Sequence, residues 1–223
     1  MPKLSHPVIA VDGTAASGKS TFSRALAQKL RFAYVNTGAM YRGVTWRLLE
    51  KGVPLENPEA ISRAAEALRL ETRLENGELF FTLDGVDPLP HVRDARVNGG
   101  VSLVSRVAAV RRRLVAEQQT LAALAPVVME GRDIGTVVFP QTPYKFFIDA
   151  DPAVRAERRS RQGETDAILR RDALDSQRAH SPLARADEAL ALDSGRASVE
   201  ELVAIALRHL AGRGLAEAKA ASL

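Results

Sequence analysis

Cysteine is absent from this 223-residue chain, and aromatic residues make up only 5% of it. The missing cysteine excludes disulfides and thiolate metal sites, which fits a reducing compartment. So few aromatic side chains leave no obvious platform for stacking nucleic-acid bases. No apolar run approaches the roughly 18–20 residues of a membrane helix, and residues 1–7 are too short and polar for a signal peptide. We therefore expect a soluble, cytoplasmic protein that binds neither membranes nor nucleic acid.

The chain carries only a small excess of positive charge, with 31 basic and 27 acidic residues. Arginine supplies 25 of the basic residues, and these are interspersed with acidic residues along the chain. The dispersed charge does not favour nucleic-acid binding. Because arginine is so frequent, a single arginine at a given position does not by itself indicate a functional site. This length suits one α/β domain over residues 1–223 with a small insertion, and we expect a monomer.

The most informative stretch is VIAVDGTAASGKST at residues 8–21. A strand-like apolar run ends at Asp12, the next eight residues fit G-x-x-x-x-G-K-[ST], and apolar residues at helical spacing follow. Gly13 and Gly18 let successive backbone amides curl around phosphate oxygens, and the helix N-terminus attracts the same anion. The strand, loop and helix together argue against a chance glycine-rich turn. They predict a P-loop that binds a nucleoside triphosphate.

Each residue of the loop is a predicted ATP contact. These residues are Gly13, Thr14, Ala15, Ala16, Ser17, Gly18, Lys19, Ser20 and Thr21. Lys19 is expected to reach the β- and γ-phosphates, and the Ser20 hydroxyl to coordinate Mg²⁺. Asp12 could orient Lys19 or a metal-bound water, or it could cap a tight turn.

The apolar pattern predicts a P-loop NTPase fold, with a five-stranded parallel sheet flanked by helices. Strands are expected at 8–12, 32–36, 127–129, 144–149 and 188–193, and helices at 21–30, 39–51, 58–68, 101–125, 152–161 and 199–210. Between residues 55 and 105, Asn76-Gly77 joins two alternating runs and predicts a hairpin, with a third short strand at 86–89. We interpret this segment as a small antiparallel subdomain inserted over the binding edge of the sheet.

Residues at the strand ends narrow the choice among P-loop proteins. The strand-ending carboxylates Glu130, Asp149 and Asp193 lie in no Asn-Lys-x-Asp motif, which argues against a GTPase. The chain leaves little room for the long elements of motor or transporter ATPases, so a small-molecule kinase remains. A hydroxyl acceptor requires a base, whereas a phosphate acceptor is already anionic and requires cations. The arginine supply favours a phosphate acceptor, with a shikimate kinase-like enzyme or a nucleotide-dependent switch protein as alternatives.

Four motifs occur in order: DGTAASGKST at 12–21, NTGAMYR at 36–42, EGRDIGTVVFP at 130–140 and RDALDSQR at 171–178. Together they resemble the bacterial cytidylate kinases, the CMP/dCMP kinases of the nucleoside monophosphate kinase family, over nearly the whole chain. The resemblance implies ATP-dependent phosphorylation of CMP and dCMP to CDP and dCDP, with Mg²⁺. The insertion would be the NMP-binding subdomain, and residues 158–170 a lid that is shorter than in most relatives.

The resemblance also implies roles for individual residues. The implied catalytic residues are Lys19, Arg132, Arg158 and Arg159. The implied CMP-binding residues are Thr37, Arg42, Ser102, Arg111, Arg132, Asp133, Arg171, Asp175 and Arg178. Of these, Arg42, Arg132 and Arg178 would clamp the acceptor phosphate. Arg171 and Asp175 would lie near the sugar, and the others around cytosine.

The resemblance gives two further carboxylate roles a chemical reason, those of Asp133 and Glu130. Cytosine presents an amino donor where uracil presents an acceptor, so Asp133 could discriminate between them. The alternative for Asp133 is a carboxylate that caps a turn. Glu130, where the family often has Asp, would hold Mg²⁺ together with Ser20, directly or through water.

Overall fold

The computed structural model describes residues 4–161 and 183–215. Its strands are β1 (Val8–Gly13), β2 (Ala33–Asn36), β3 (Leu70–Glu75), β4 (Glu78–Leu83), β5 (Val127–Gly131), β6 (Tyr144–Asp149) and β7 (Leu190–Asp193). They form one sheet in the order β3-β4-β2-β5-β1-β6-β7. The five strands from β2 to β7 in this order run parallel, which confirms the predicted parallel sheet. The carboxyl ends of β1, β2 and β5 therefore lie side by side at one edge.

Helices connect the strands and cover both faces of the sheet. They are α1 (Lys19–Leu30), α2 (Thr37–Glu50), α3 (Pro58–Ala67), α4 (Ala95–Val104), α5 (Ala108–Leu124), α6 (Pro152–Arg161) and α7 (Val199–Gly212). Side-chain caps fix several of the helix starts: Asn36 accepts from the Ala39 amide, and Ser198 forms a capping box with Glu201. Within residues 4–161 and 183–215, no helix is both long and apolar enough to cross a membrane.

The predicted hairpin forms, but it extends the main sheet instead of making a sheet of its own. Strands β3 and β4 pair antiparallel, and β4 joins β2 in parallel through Tyr34 and Glu78. The sheet therefore has seven strands, two more than the five predicted, and among these described strands only β3 runs antiparallel to its neighbour. Asn76 and Gly77 both have positive φ, 51° and 75°, as a tight hairpin turn requires.

The prediction of a third short strand at residues 86–89 is wrong. Only an isolated bridge joins Val86 to Leu83, and a 3-10 turn follows at Leu89–His91. The chain here contains Pro88 and Pro90, which lack the amide hydrogens that a strand would donate.

The single helix predicted over residues 101–125 is interrupted after Val104. Val107 adopts an extended conformation, and α5 starts at the following residue. The Ser105 hydroxyl donates to the Ser102 carbonyl at 3.3 Å, while Arg111 donates to the Ser105 carbonyl at 3.4 Å. These bonds satisfy backbone groups that the interruption leaves without helical partners.

The core lies on both faces of β1, which is why that strand reads as an uninterrupted apolar run. Ile9 and Val11 pack with α1 and α7, whereas Val8 and Ala10 face α5. A third cluster joins α2, α3, β4, α4 and α5 around side chains such as Phe81. This packing holds the loops at the carboxyl ends of the parallel strands on a rigid base.

Candidate active site

The P-loop turns sharply at the end of β1, and its backbone accepts little substitution. Gly13 has φ of 152°, and a Cβ there would lie 1.9 Å from the Ile148 carbonyl oxygen of β6. Ala16 and Gly18 adopt left-handed conformations, with φ of 56° and 81°. Lys19 is buried, and its ammonium group donates to the Thr14 carbonyl. The loop thus has the curled backbone that an anion-binding nest requires.

A cleft of about 720 Å³, here called the P-loop cleft, opens over this loop. Of the predicted ATP and catalytic residues, its lining includes Ala15, Ala16, Ser17, Gly18, Lys19, Ser20, Thr21, Arg132, Arg158 and Arg159. Gly13 and Thr14 are not in the lining, and the Thr14 hydroxyl donates to Asp149 Oδ1 at 2.6 Å. Most of the predicted loop therefore faces one space.

The loop between β7 and α7 supports the P-loop from one side. Arg158 donates to the Ser194 hydroxyl at 2.9 Å and to the Ser194 carbonyl at 2.7 Å. The Ser194 hydroxyl in turn donates to the Ser17 carbonyl at 2.7 Å. Ser194 follows β7 directly, so the rule that ligands bind at the carboxyl ends of parallel strands could have identified it from the sequence.

Asp12 caps a turn, which is one of the alternatives that the sequence left open. Its two carboxylate oxygens accept from the Ile134 and Gly135 amides, each at 2.7 Å. Those amides begin a π-helical turn at Ile134–Val138. Burial raises the pKa of Asp12 to about 7, although both hydrogen bonds oppose the rise. The carboxylate thus ties the base of the P-loop to the segment after β5.

Glu130 lies at the end of β5, the strand between β1 and β2. Its carboxylate accepts from the Tyr34 hydroxyl, and its carbonyl accepts from the Thr37 hydroxyl at 2.7 Å. Burial and the nearby Glu130 carboxylate both raise the pKa of Tyr34 above its usual range. Glu130 and Ser20 both line the P-loop cleft. Their oxygens are the hard donors that Mg²⁺ prefers.

A smaller space of about 70 Å³, here called the side pocket, lies beside the cleft. Six of the predicted CMP-binding residues line it: Thr37, Arg42, Ser102, Arg111, Arg132 and Asp133. Arg111 and Asp133 form an ion pair whose side chains are each 6% exposed. Arg171, Asp175 and Arg178 lie outside the described residues.

The P-loop cleft and the side pocket are adjacent, and two arginines line both. These are Arg42, at the first turns of α2, and Arg132, directly after β5. Arg132 also donates to the Gly13 carbonyl at 3.1 Å. A cation at this position can contact anions bound in either space.

Several residues that line the P-loop cleft were not predicted from the sequence. They include Arg24, Tyr34, Asn36, Arg93 and Asn98. Arg93 is one of 25 arginines, and no motif in the chain distinguishes it from the others. Tyr34 lies in a short apolar run, where an aromatic residue normally indicates packing. The strand-end rule could have indicated Asn36, which ends β2.

Comparison with known proteins agrees with these motifs. The family model described as cytidylate kinase matches residues 9–211. A cytidylate kinase of Streptomyces griseus subsp. griseus is 38% identical, over 95% of this chain and 96% of its own length. That of Pelotomaculum thermopropionicum is 43% identical, over 94% and 98%. That of Bacillus thuringiensis is 42% identical, over 87% and 92%.

Proposed function

The chain belongs to the cytidylate kinase family and is an ATP-dependent kinase of CMP and dCMP. We propose which of its residues bind each substrate and which stabilise the transferred phosphoryl group. The observation that carries the proposal is the position of Arg42 and Arg132, which line both the P-loop cleft and the side pocket. ATP would bind in the cleft and the pyrimidine nucleotide in the pocket. The two phosphate groups would then meet between these guanidinium groups.

We propose that the P-loop amides from Ala15 to Thr21 hold the triphosphate, with Lys19 reaching its terminal phosphates. The helix dipole of α1 and the curled backbone favour an anion there. Arg158 and Arg159 line the same cleft and would neutralise charge on the transferred phosphoryl group. Arg158 is held towards the P-loop by Ser194, which supports this role.

We propose that the ion pair of Asp133 and Arg111 reads the cytosine base, with Thr37 and Ser102 nearby. The Asp133 carboxylate can accept from the C4 amino group of cytosine, while uracil would place an oxygen acceptor against it. Arg111 compensates the buried negative charge of Asp133. A polar site left unpaired by the wrong base discriminates strongly, because it loses hydrogen bonds that water would have supplied.

Phosphoryl transfer to CMP needs cations more than it needs a base. The acceptor phosphate is already anionic near neutral pH, so positioning and charge neutralisation supply the catalysis. Arg42 and Arg132 would clamp this phosphate, together with Arg178. Arg171 and Asp175 would contact the sugar. These last three assignments rest on the family resemblance alone.

The residues present also fit Mg²⁺. An Mg²⁺ ion bound with ATP usually takes only one or two protein ligands and fills its remaining positions with phosphate oxygens and water. Ser20 and Glu130, one hydroxyl and one carboxylate, supply such a donor set beside the phosphate nest. When bound, the ion would neutralise the charge that develops on the phosphates.

Some features of the whole chain also remain proposals. We propose that residues 55–105 act as the NMP-binding subdomain and 158–170 as a short lid, of which 162–170 lie outside the described residues. We also propose a cytoplasmic monomer, whose oligomeric state light scattering would measure.

An assay of ADP release would test the substrate directly. The wild-type protein is supplied with ATP and, in separate reactions, CMP, dCMP, UMP, AMP or shikimate. CMP and dCMP should exceed the other acceptors in kcat/KM by at least about a hundredfold, as for a site with paired polar contacts. Turnover with shikimate, or turnover that appears only with a partner protein, would contradict the proposal.

A further inference from the structure

Tyr34 is a buried residue of β2 that lines the P-loop cleft. The hydroxyl donates to the Glu130 carboxylate and accepts from the Asn36 side-chain amide at 3.3 Å. The phenol oxygen thus directly contacts the carboxylate proposed to bind Mg²⁺, and Ser20 lines the same cleft.

The Tyr34 ring is itself fixed in place. The Arg24 guanidinium of α1 stacks on it, 4.8 Å from the ring centroid, and forms an ion pair with Glu78 of β4. The Tyr34 amide donates to the Gly77 carbonyl at 2.8 Å, which anchors the backbone to the hairpin turn. The hydroxyl therefore has little freedom to leave Glu130.

Glu130 benefits from such a fixed donor because of its length. A glutamate side chain has three rotatable bonds, and holding one carboxylate position costs rotamer entropy. A hydrogen bond to a charged carboxylate is stronger than a neutral one and selects a single orientation of the group. Outer partners of metal-binding carboxylates orient them in this way in metal sites generally.

We propose that Tyr34 is a positioning residue that holds the Glu130 carboxylate in the orientation that binds the magnesium ion of Mg·ATP. This inference rests on the proposed function of the P-loop cleft. Tyr34 acts through Glu130 and not by contact with the reacting phosphates.

The test is the substitution Y34F, which removes one oxygen and keeps the ring that stacks with Arg24. Mn²⁺ replaces Mg²⁺ as the probe, and its binding to the protein with a non-hydrolysable ATP analogue is measured by electron paramagnetic resonance. Mn²⁺ affinity should fall about tenfold or more, as for other lost outer partners of metal ligands. Binding of the analogue without metal should be unchanged, and kcat should fall with little change in KM for CMP.

The substitution Y144F is the matched control, since Tyr144 packs against the same core cluster but does not line the P-loop cleft. It should leave Mn²⁺ affinity unchanged. Mn²⁺ affinity of Y34F within about twofold of wild type would overturn the proposal, since lost outer partners normally cost more. An equal loss in Y34F and Y144F would also overturn it, because it would indicate a general packing effect.

A double-mutant cycle with E130Q separates positioning from an independent effect. If Tyr34 acts through Glu130, the double variant should bind Mn²⁺ no more weakly than E130Q alone. Additive losses would contradict the proposal. The proposed function is tested separately, because wild-type turnover with CMP does not depend on how Y34F behaves.

Discussion

At the scale of single residues, the proposed contact of the Asp133–Arg111 ion pair with the cytosine base makes the most specific prediction about the substrate. We expect D133N to lower the ratio of kcat/KM for CMP over UMP by about tenfold or more, because an amide can also donate to the uracil oxygen. The substitution also leaves a buried arginine without its countercharge and should lower stability. The ratio of kcat/KM for the two substrates, measured on the same preparation, does not depend on the fraction of protein that is folded.

The control for this change is D187N, which removes the same charge from an exposed residue. Its CMP/UMP ratio should match that of the wild type. If the CMP/UMP ratio and the KM for ATP are both unchanged in D133N, Asp133 stabilises the turn and does not bind the cytosine base.

Arg132 lies between the two proposed nucleotide sites: it lines both the P-loop cleft and the side pocket, and it donates to the Gly13 carbonyl of the P-loop. We expect R132K to lower kcat by about a hundredfold or more, because lysine cannot reproduce the planar, two-pronged contact with phosphate. KM for ATP should change much less. The comparison is steady-state kinetics of R112K, which changes an exposed arginine of α5. A kcat within about threefold of wild type would remove Arg132 from the phosphate clamp.

The motif residues were predictable because each motif fixes a chemical group at a known distance from a strand end. Gly13, Lys19, Ser20 and Arg132 belong to this class. Tyr34 and Arg93 do not, because only the folded chain brings their side chains to the cleft. The parallel pairing of β2 with β5 places Tyr34 beside Val128, two residues before Glu130. This register brings the Tyr34 side chain close to Glu130.

At the scale of secondary-structure elements, Asp12 joins β1 to the turn at Ile134–Val138 and should make that junction sensitive to pH. Its pKa is raised from 3.8 to about 7 in the folded protein. The folded state therefore holds this proton more tightly than the unfolded chain does. The contribution to stability is complete below about pH 4 and is lost as the pH rises towards about 7.

We expect the unfolding free energy of wild type, minus that of D12N, to decrease as the pH rises over this range. Asparagine cannot titrate, and its amide group would oppose one of the two backbone donors, so D12N should be the less stable protein at low pH. Urea titrations at several pH values measure both curves. A difference that stays constant with pH would contradict the raised pKa.

Element boundaries followed the sequence where a local signal marked them. The Asn76-Gly77 turn predicted the hairpin, and the helix predicted at 199–210 matches α7, which Ser198 caps. The interruption between α4 and α5 had no such signal, since residues 104–107 contain neither glycine nor proline. The bond from the Arg111 side chain to the Ser105 carbonyl, six residues earlier, stabilises it in the folded chain.

At the scale of the whole molecule, the hairpin and the helices of the 55–105 segment pack in one cluster with α2 and α5, which lie outside that segment. Phe81 of β4 is fully buried in the cluster that α2, α3, α4 and α5 also form. Trp46, the one tryptophan of the chain, lies in α2 and stacks on His91, with the ring centroids 4.8 Å apart. Its fluorescence therefore reports on the contact between α2 and the 55–105 segment.

We expect urea to unfold the protein in one cooperative transition, with Trp46 fluorescence and far-ultraviolet circular dichroism giving the same midpoint. F81A should lower the unfolding free energy by about 3–5 kcal/mol, the usual cost of truncating a buried phenylalanine, and should shift both midpoints together. F80A is the matched control, because Phe80 points to the opposite face of β4 and is only half-buried. F80A should lower the unfolding free energy clearly less than F81A does.

If fluorescence changed at lower urea than circular dichroism, the 55–105 segment would be unfolding by itself. The continuity of the sheet through Tyr34 and Glu78 would then contribute little to the stability of that segment.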